Sequence, residues 1–89
     1  MENKPRVSLE FRKLSFFHKV KDAYQSNDLE TLAELDGVLD RLLAINWQPI
    51  DKHMFYMLKA CCSEKLGNLD ASREAKAMAR KSMEESKQP

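Results

Sequence analysis

The sequence predicts an all-α protein of four helices, arranged as two antiparallel helical hairpins. Apolar residues recur at intervals of three and four in four successive segments, which is the spacing of one face of an α-helix. Residues that cap helix ends separate these segments. The chain of 89 residues holds only 2 glycines and 3 prolines, too few for a turn-rich β fold. Its length predicts one domain with a small core.

The first helix is predicted over residues 9–26, with Ser8 as its N-cap. Its main apolar face consists of Leu9, Phe16, Phe17, Val20, Ala23 and Tyr24. Phe11 and His18 lie one heptad apart on the other side, and Leu14 lies between the two faces. Two interpretations stay open for these three residues. Either Phe11 folds back onto a neighbouring helix, or the residues form a second face that meets a partner.

The second helix is predicted over residues 29–46, and either Asn27 or Asp28 can cap it. Its apolar face is wide enough to contact two neighbours and consists of Leu32, Leu35, Val38, Leu39, Leu42 and Leu43. Residues 28–51 hold six acids and one base, whereas the segments before and after are each three charges positive. This asymmetry favours packing between the helices.

The third helix is predicted over residues 52–66, with Asp51 as its cap. In its stretch from Met54 to Cys62, Lys59 is the only charged residue, so apolar side chains point in almost every direction. The other helices are therefore expected to surround this one. Trp47, in the connection before it, either closes one end of the core or presents its ring to a partner.

The fourth helix is predicted over residues 69–85, after a turn in which Gly67 ends one helix and Asn68 caps the next. One face carries small residues that allow another helix to approach closely, and it consists of Ala71, Ser72, Ala75, Met78, Ala79, Ser82 and Met83. Arg73, Lys76 and Arg80 form a basic edge beside that face.

The domain is expected to span residues 8–85, as hairpins 8–46 and 51–85, between flexible tails at residues 1–7 and 86–89. The first of these tails is basic. The sequence shows no signal peptide and no apolar run of the roughly 18 residues that a membrane span needs, so a cytoplasmic protein is expected.

No pattern of catalytic residues is present. The sequence contains no glycine-rich phosphate loop, no nucleophile paired with a base and no pocket of paired carboxylates, so an enzyme is not expected. Cys61 and Cys62 are adjacent on a helix, where a disulfide between them would strain the backbone, and they are interpreted as buried thiols in place of a redox switch. Neither His18 nor His53 has a spaced companion ligand, so no metal or other cofactor is expected.

A weak internal repeat appears at a spacing of 40 residues, with the first helix over the third and the second over the fourth. The second hairpin, residues 54–85, resembles a tetratricopeptide repeat. Its first helix carries the large aromatic Tyr56 and, one turn later, the small residue Ala60. Gly67 is the turn glycine, Leu69 is the bulky residue after the turn, and Ala79 is the small residue late in the second helix. Ser72 departs from the alanine of that pattern, no proline follows the last helix, and the first hairpin matches only in pattern. The alternative is a generic four-helix bundle.

This resemblance implies a protein-interaction module, an adaptor or chaperone-like protein that binds an apolar or amphipathic segment of a partner. Such repeats bind in a groove lined by their first helices, here helices 1 and 3. The candidate partner-binding residues are Phe11, Leu14, His18, Trp47 and Lys59. With only two repeats, a partner protein or a second copy is expected to complete the core. Two alternatives stay open: a nucleic-acid-associated regulator that uses Arg73, Lys76 and Arg80, and a structural homodimer.

Overall fold

A computed structural model of the chain describes residues 9–87, and the side chains of residues 12–87. It confirms the all-α prediction: the described part of the chain forms α1 (Leu9–Gln25), α2 (Leu29–Leu43), α3 (Pro49–Lys65) and α4 (Leu69–Ser86). The predicted tail at residues 1–7, the cap at Ser8 and the side chain of Phe11 lie outside the described residues, as do the last two residues of the predicted tail at 86–89.

The two hairpin turns have the same backbone geometry, 40 residues apart. Asn27 in the first turn has φ 57° and Gly67 in the second has φ 86°, both in the left-handed region that ends many helices. The N–H of the following residue donates to the carbonyl five residues earlier, at 2.9 Å in the first turn and 2.8 Å in the second. The left-handed residue reverses the chain, and this bond satisfies a carbonyl at the end of the helix. The repeat inferred from sequence therefore extends to the turns.

The residues that cap α2 and α4 also correspond. Asp28 caps α2 by accepting a hydrogen bond from the backbone N–H of Thr31, which decides between the two predicted caps. Asn68 caps α4 in the same way, as predicted, by accepting from the N–H of Ala71. Both side chains satisfy a backbone donor that has no partner within its own helix.

The predicted limits at the connection between α2 and α3 were wrong. Helix α2 ends at Leu43 rather than at residue 46, and α3 begins at Pro49 rather than at residue 52, with Gln48 as its N-cap. Proline suits the first position of a helix because its missing N–H would have no partner there. Asp51 therefore lies inside the first turn of α3, where its carboxylate is 2.7 Å from Nζ of Lys13.

Helix α3 contacts each of the other three helices, whereas within the described residues α4 packs against α3 alone. This confirms the prediction that the other helices surround the third. Val20, Leu32 and Leu39 are almost fully buried around it, as is Phe55 of α3 itself. Two side-chain hydrogen bonds to main-chain carbonyls join α3 and α4: Ser72 Oγ to Ala60 O at 3.0 Å, and His53 Nδ1 to Ala79 O at 2.7 Å.

Buried positions repeat with the same 40-residue offset, but their side chains differ in size. Five positions are buried in both hairpins, as the pairs Val20/Ala60, Ala23/Ser63, Leu32/Ser72, Leu35/Ala75 and Leu39/Ala79. The first hairpin uses leucines that fill space between two helices. The second uses serine and alanine, which explains why α4 lies close enough to α3 for hydrogen bonds to its main chain.

Candidate protein-interaction groove

An apolar groove of about 260 Å³ lies between α1 and α3. Its floor is formed by Val20 and Leu58, which are buried. Its borders are formed by Phe17, Lys21, Tyr24, Gln25 and Cys61. Lys21 is the only charged residue among those that line it, so the groove suits an apolar side chain better than a polar ligand.

Further exposed apolar side chains lie on α1 and α3, within about one helical turn of residues that line the groove. On α1, Leu14 is 54% exposed and Phe17 is 38% exposed, and these residues lie three positions apart on one face. On α3, Met57 is 44% exposed and lies one turn before Cys61. The ring of His18 meets that of Phe17 edge-on, with 5.7 Å between the ring centroids. An exposed apolar surface on a small protein is a candidate interaction site.

Helices α1 and α3 run parallel beside the groove. Two contacts show this, because each joins corresponding ends of the two helices. Near their N-termini, Lys13 pairs with Asp51. Near their C-termini, Nζ of Lys65 lies 4.4 Å from the centroid of the Tyr24 ring, a cation–π geometry. The rise from Lys13 to Tyr24 is about 16 Å, or three helical turns. The open face is therefore long enough for a short helix of a partner.

The thiol beside the groove is held in its neutral form. Cys61 is half-buried, and burial raises the pKa of its thiol, as does the charge of Glu64, against a smaller opposing effect of Lys76. Cys62, the next residue, is fully buried, and burial, with smaller contributions from Asp36 and Cys61, raises its pKa to about 12. Neither thiol has the low pKa of a reactive cysteine.

Of the sequence-predicted partner residues whose side chains are described, none is among the residues that line the groove. Leu14 and His18 are exposed on α1 beside the groove, and the side chain of Phe11 is not described. Trp47 lies at the end of the core instead. Its Nε1–H donates to the carbonyl of Leu42 at 2.6 Å, and its ring centroid is 5.0 Å from that of Phe55.

Lys59 faces α2 rather than the groove. Its Nζ lies 2.8 Å from a carboxylate oxygen of Asp40 and 2.9 Å from one of Asp36. Burial alone would lower the pKa of Lys59, but the hydrogen bonds and charges of Asp40 and Asp36 raise it above its ordinary value. Lys59 therefore joins the two hairpins.

The basic edge proposed for nucleic acid lies on α4, apart from the residues that line the groove. Arg73, Lys76 and Arg80 are all exposed. A carboxylate oxygen of Asp70 is 3.7 Å from Arg73, and both side chains of that pair are open to solvent. Such pairs contribute about 0–1 kcal/mol.

A second depression lies on the other side of α3, between α2 and α4. It consists of two adjoining cavities of about 380 Å³ each. Their lining mixes apolar side chains with both signs of charge and includes Asp40, Leu43, Tyr56, Lys59, Glu74, Met78, Lys81 and Glu85. This mixed lining selects no single class of ligand.

Sequence reasoning missed all five residues that border the groove: Phe17, Lys21, Tyr24, Gln25 and Cys61. Phe17 and Tyr24 were assigned to the apolar face of α1, and Cys61 to the core. The spacing of Leu14, Phe17 and Lys21 by three and four residues was the available signal, since it marks a stripe with a polar end. It could not show that α3 covers only one side of this stripe.

Comparisons with known proteins identify no relative. No family model matches the chain, and no curated protein and no solved structure gives a significant match. Within residues 9–87, no helix has the length and hydropathy to cross a bilayer. The same residues contain no cluster of three histidine, cysteine or acidic side chains arranged to bind a metal ion.

Proposed function

We propose that this protein is a small helical interaction module, an adaptor or chaperone-like protein that holds an amphipathic helix of a partner in the groove between α1 and α3. The observation that carries the proposal is the groove itself, with its buried floor of Val20 and Leu58 and the exposed rings and aliphatic chains beside it. Helix-in-groove recognition uses such a surface to bury apolar residues of a helix at intervals of three and four.

The repeated architecture supports this proposal. The matching turns at Asn27 and Gly67 and the matching buried positions favour two hairpins of the tetratricopeptide type over a generic bundle. In that arrangement the first helices of the two hairpins, α1 and α3, line the binding groove. Helix α4 has an exposed outer face rich in charge, as a terminal helix of a repeat protein requires.

A designed peptide can test the groove in place of the natural partner. The probe is a labelled helix of about 14 residues, slightly longer than the groove, with leucines on one face and uncharged glutamines beside them. A hydrocarbon staple on the opposite face keeps it helical. We expect fluorescence anisotropy to detect binding to the wild-type protein, and Phe17→Ser to weaken it by about tenfold or more, as for loss of an aromatic anchor.

The matched control is Ala33→Ser, which adds the same hydroxyl to an exposed position on α2. It should leave the affinity for the peptide unchanged. Both variants should retain the far-ultraviolet circular dichroism of the wild type. A peptide that fails to bind, or that binds wild type and Phe17→Ser equally, would contradict the proposed groove.

A further inference from the structure

We infer that the helix held in this groove carries acidic residues beside its apolar face. This inference rests on the proposed function and names the class of partner. It follows from the charges that border the groove, because an apolar floor selects for a helix but not for its polar side chains. Charges at the border of an interface decide which partners are attracted and which are repelled.

On α1, Lys21 lines the groove and is exposed. Lys13, on the same helix, is paired with Asp51. Arg12 and Lys19 lie about 180–200° around the helix from Lys21 and so point away from the groove. A helix in the groove would place part of its polar flank beside Lys21.

Lys65 adds a positive charge on the α3 side of the groove, where its Nζ lies over the ring of Tyr24. Glu64 and Lys76 act with opposite signs on the thiol of Cys61, and Glu64 has the larger effect. Carboxylates on a bound helix would meet Lys21 on the α1 side and Lys65 on the α3 side.

These charges argue against a second copy of the same face as the occupant. A symmetric dimer through this face would bring two copies of Lys21 and of Lys65 into one interface, and like charges disfavour association. The exposed apolar residues Leu14, Phe17 and Met57 argue against duplex nucleic acid, which is held mainly by contacts to its phosphates. An acidic amphipathic helix complements both the apolar floor and the two lysines.

The test adds two peptides to the neutral probe described above. One replaces the glutamines with glutamates and the other with lysines, on an unchanged leucine face. We expect the acidic peptide to bind about tenfold more tightly than the basic one, and to lose that advantage as ionic strength rises. The protein variant with Lys21→Glu and Lys65→Glu should reverse the order of the two peptides.

The control variant carries Arg41→Glu and Lys87→Glu, which change the net charge equally at exposed positions that do not line the groove. It should keep the wild-type order of affinities. If the neutral peptide binds at Phe17 but the acidic and basic peptides bind equally well, the acidic partner is ruled out while the groove proposal stands. If none of the peptides binds, both proposals are wrong.

Two further results would overturn the inference in favour of another occupant. An oligonucleotide duplex that displaces the acidic peptide, and whose binding is lost with Lys21→Glu and Lys65→Glu, would assign these two lysines to nucleic acid. Self-association in sedimentation equilibrium that is abolished by Phe17→Ser would assign the groove to a second copy.

Discussion

Two buried serines, Ser63 and Ser72, occupy different chemical environments at the contact between α3 and α4. The hydroxyl of Ser72 donates to the carbonyl of Ala60, whereas the buried hydroxyl of Ser63 has no hydrogen-bond partner within the described residues. The position 40 residues before Ser63 is Ala23, which is buried in the same way without a hydroxyl. A buried polar group is favourable only when it is satisfied.

Substituting each serine with alanine should therefore have opposite effects. We expect Ser72→Ala to lower the free energy of unfolding by about 0.5–1.5 kcal/mol, and Ser63→Ala to leave it unchanged or raise it by up to about 1 kcal/mol. Urea denaturation followed by circular dichroism measures both. Equal losses in the two variants would show that Ser63 has a partner, such as a buried water.

The two adjacent thiols should differ in reactivity. Cys62 is fully buried with a pKa of about 12, whereas Cys61 is half-buried beside the groove. Native protein treated with a thiol reagent at pH 8 should slowly label Cys61 and leave Cys62 unlabelled until the chain unfolds. Cys61→Ala should abolish native labelling, and rapid reaction of Cys62 would contradict its burial.

The raised pKa of Cys62 also predicts how stability depends on pH. The neutral thiol is favoured in the folded state, so its contribution is complete below the pKa of an unfolded cysteine, about 8.5. It is lost as the pH rises from that value towards about 12, the pKa in the folded protein. Unfolding free energies of wild type and Cys62→Ala, measured from pH 8 to 11, should show a smaller decline in the variant.

At the scale of helices, the sequence predicted the existence and the order of all four helices, but it misplaced the end of α2 and the start of α3. The hairpin turns carry strong local signals, a left-handed residue followed by a capping side chain, and α2 and α4 begin where those signals place them. The connection at Trp47 lacks such a signal. Both Asp51 and Pro49 are plausible near a helix start, and the proline decided the outcome because its ring already has a helical φ.

The apolar face of α2 is the part of the first hairpin that contacts two neighbours. Leu32 and Leu39 are fully buried, and Leu35 is almost so. We expect Leu39→Asp to unfold the domain, because burying an unpaired carboxylate costs several kcal/mol against a total stability of about 5–15 kcal/mol. The control Ala33→Asp, at an exposed position of the same helix, should melt close to the wild type. A cooperative wild-type melting transition in Leu39→Asp would contradict this packing.

At the scale of the whole molecule, the central place of α3 could be predicted but the groove could not. An almost completely apolar helix requires neighbours on several sides, and that requirement is visible in the sequence from Met54 to Cys62. How far each neighbour covers α3 depends on side-chain size in the other helices. The small residues of α4 cover one side closely, whereas α1 covers another side less fully and leaves Phe17 and Met57 exposed.

This uneven packing predicts that α1 opens more easily than the rest of the domain. Helix α3 packs along α4 and is joined to it by the hydrogen bonds of His53 and Ser72, while α1 contacts α2 and α3 over shorter stretches. Segments with fewer buried contacts open at lower free energy in native proteins. Amide hydrogens of α1 should therefore exchange through an opening of lower free energy than those of α3 and α4.

Native-state hydrogen exchange by NMR, with increasing low concentrations of denaturant, measures these opening free energies for each amide. The acidic peptide provides a second test, because a ligand that spans α1 and α3 stabilises only states in which both helices are in place. We expect saturating peptide to slow exchange in α1 more than in α4, and Phe17→Ser to remove that difference. Exchange of all four helices with one common free energy would show that they open together and would contradict the easier opening of α1.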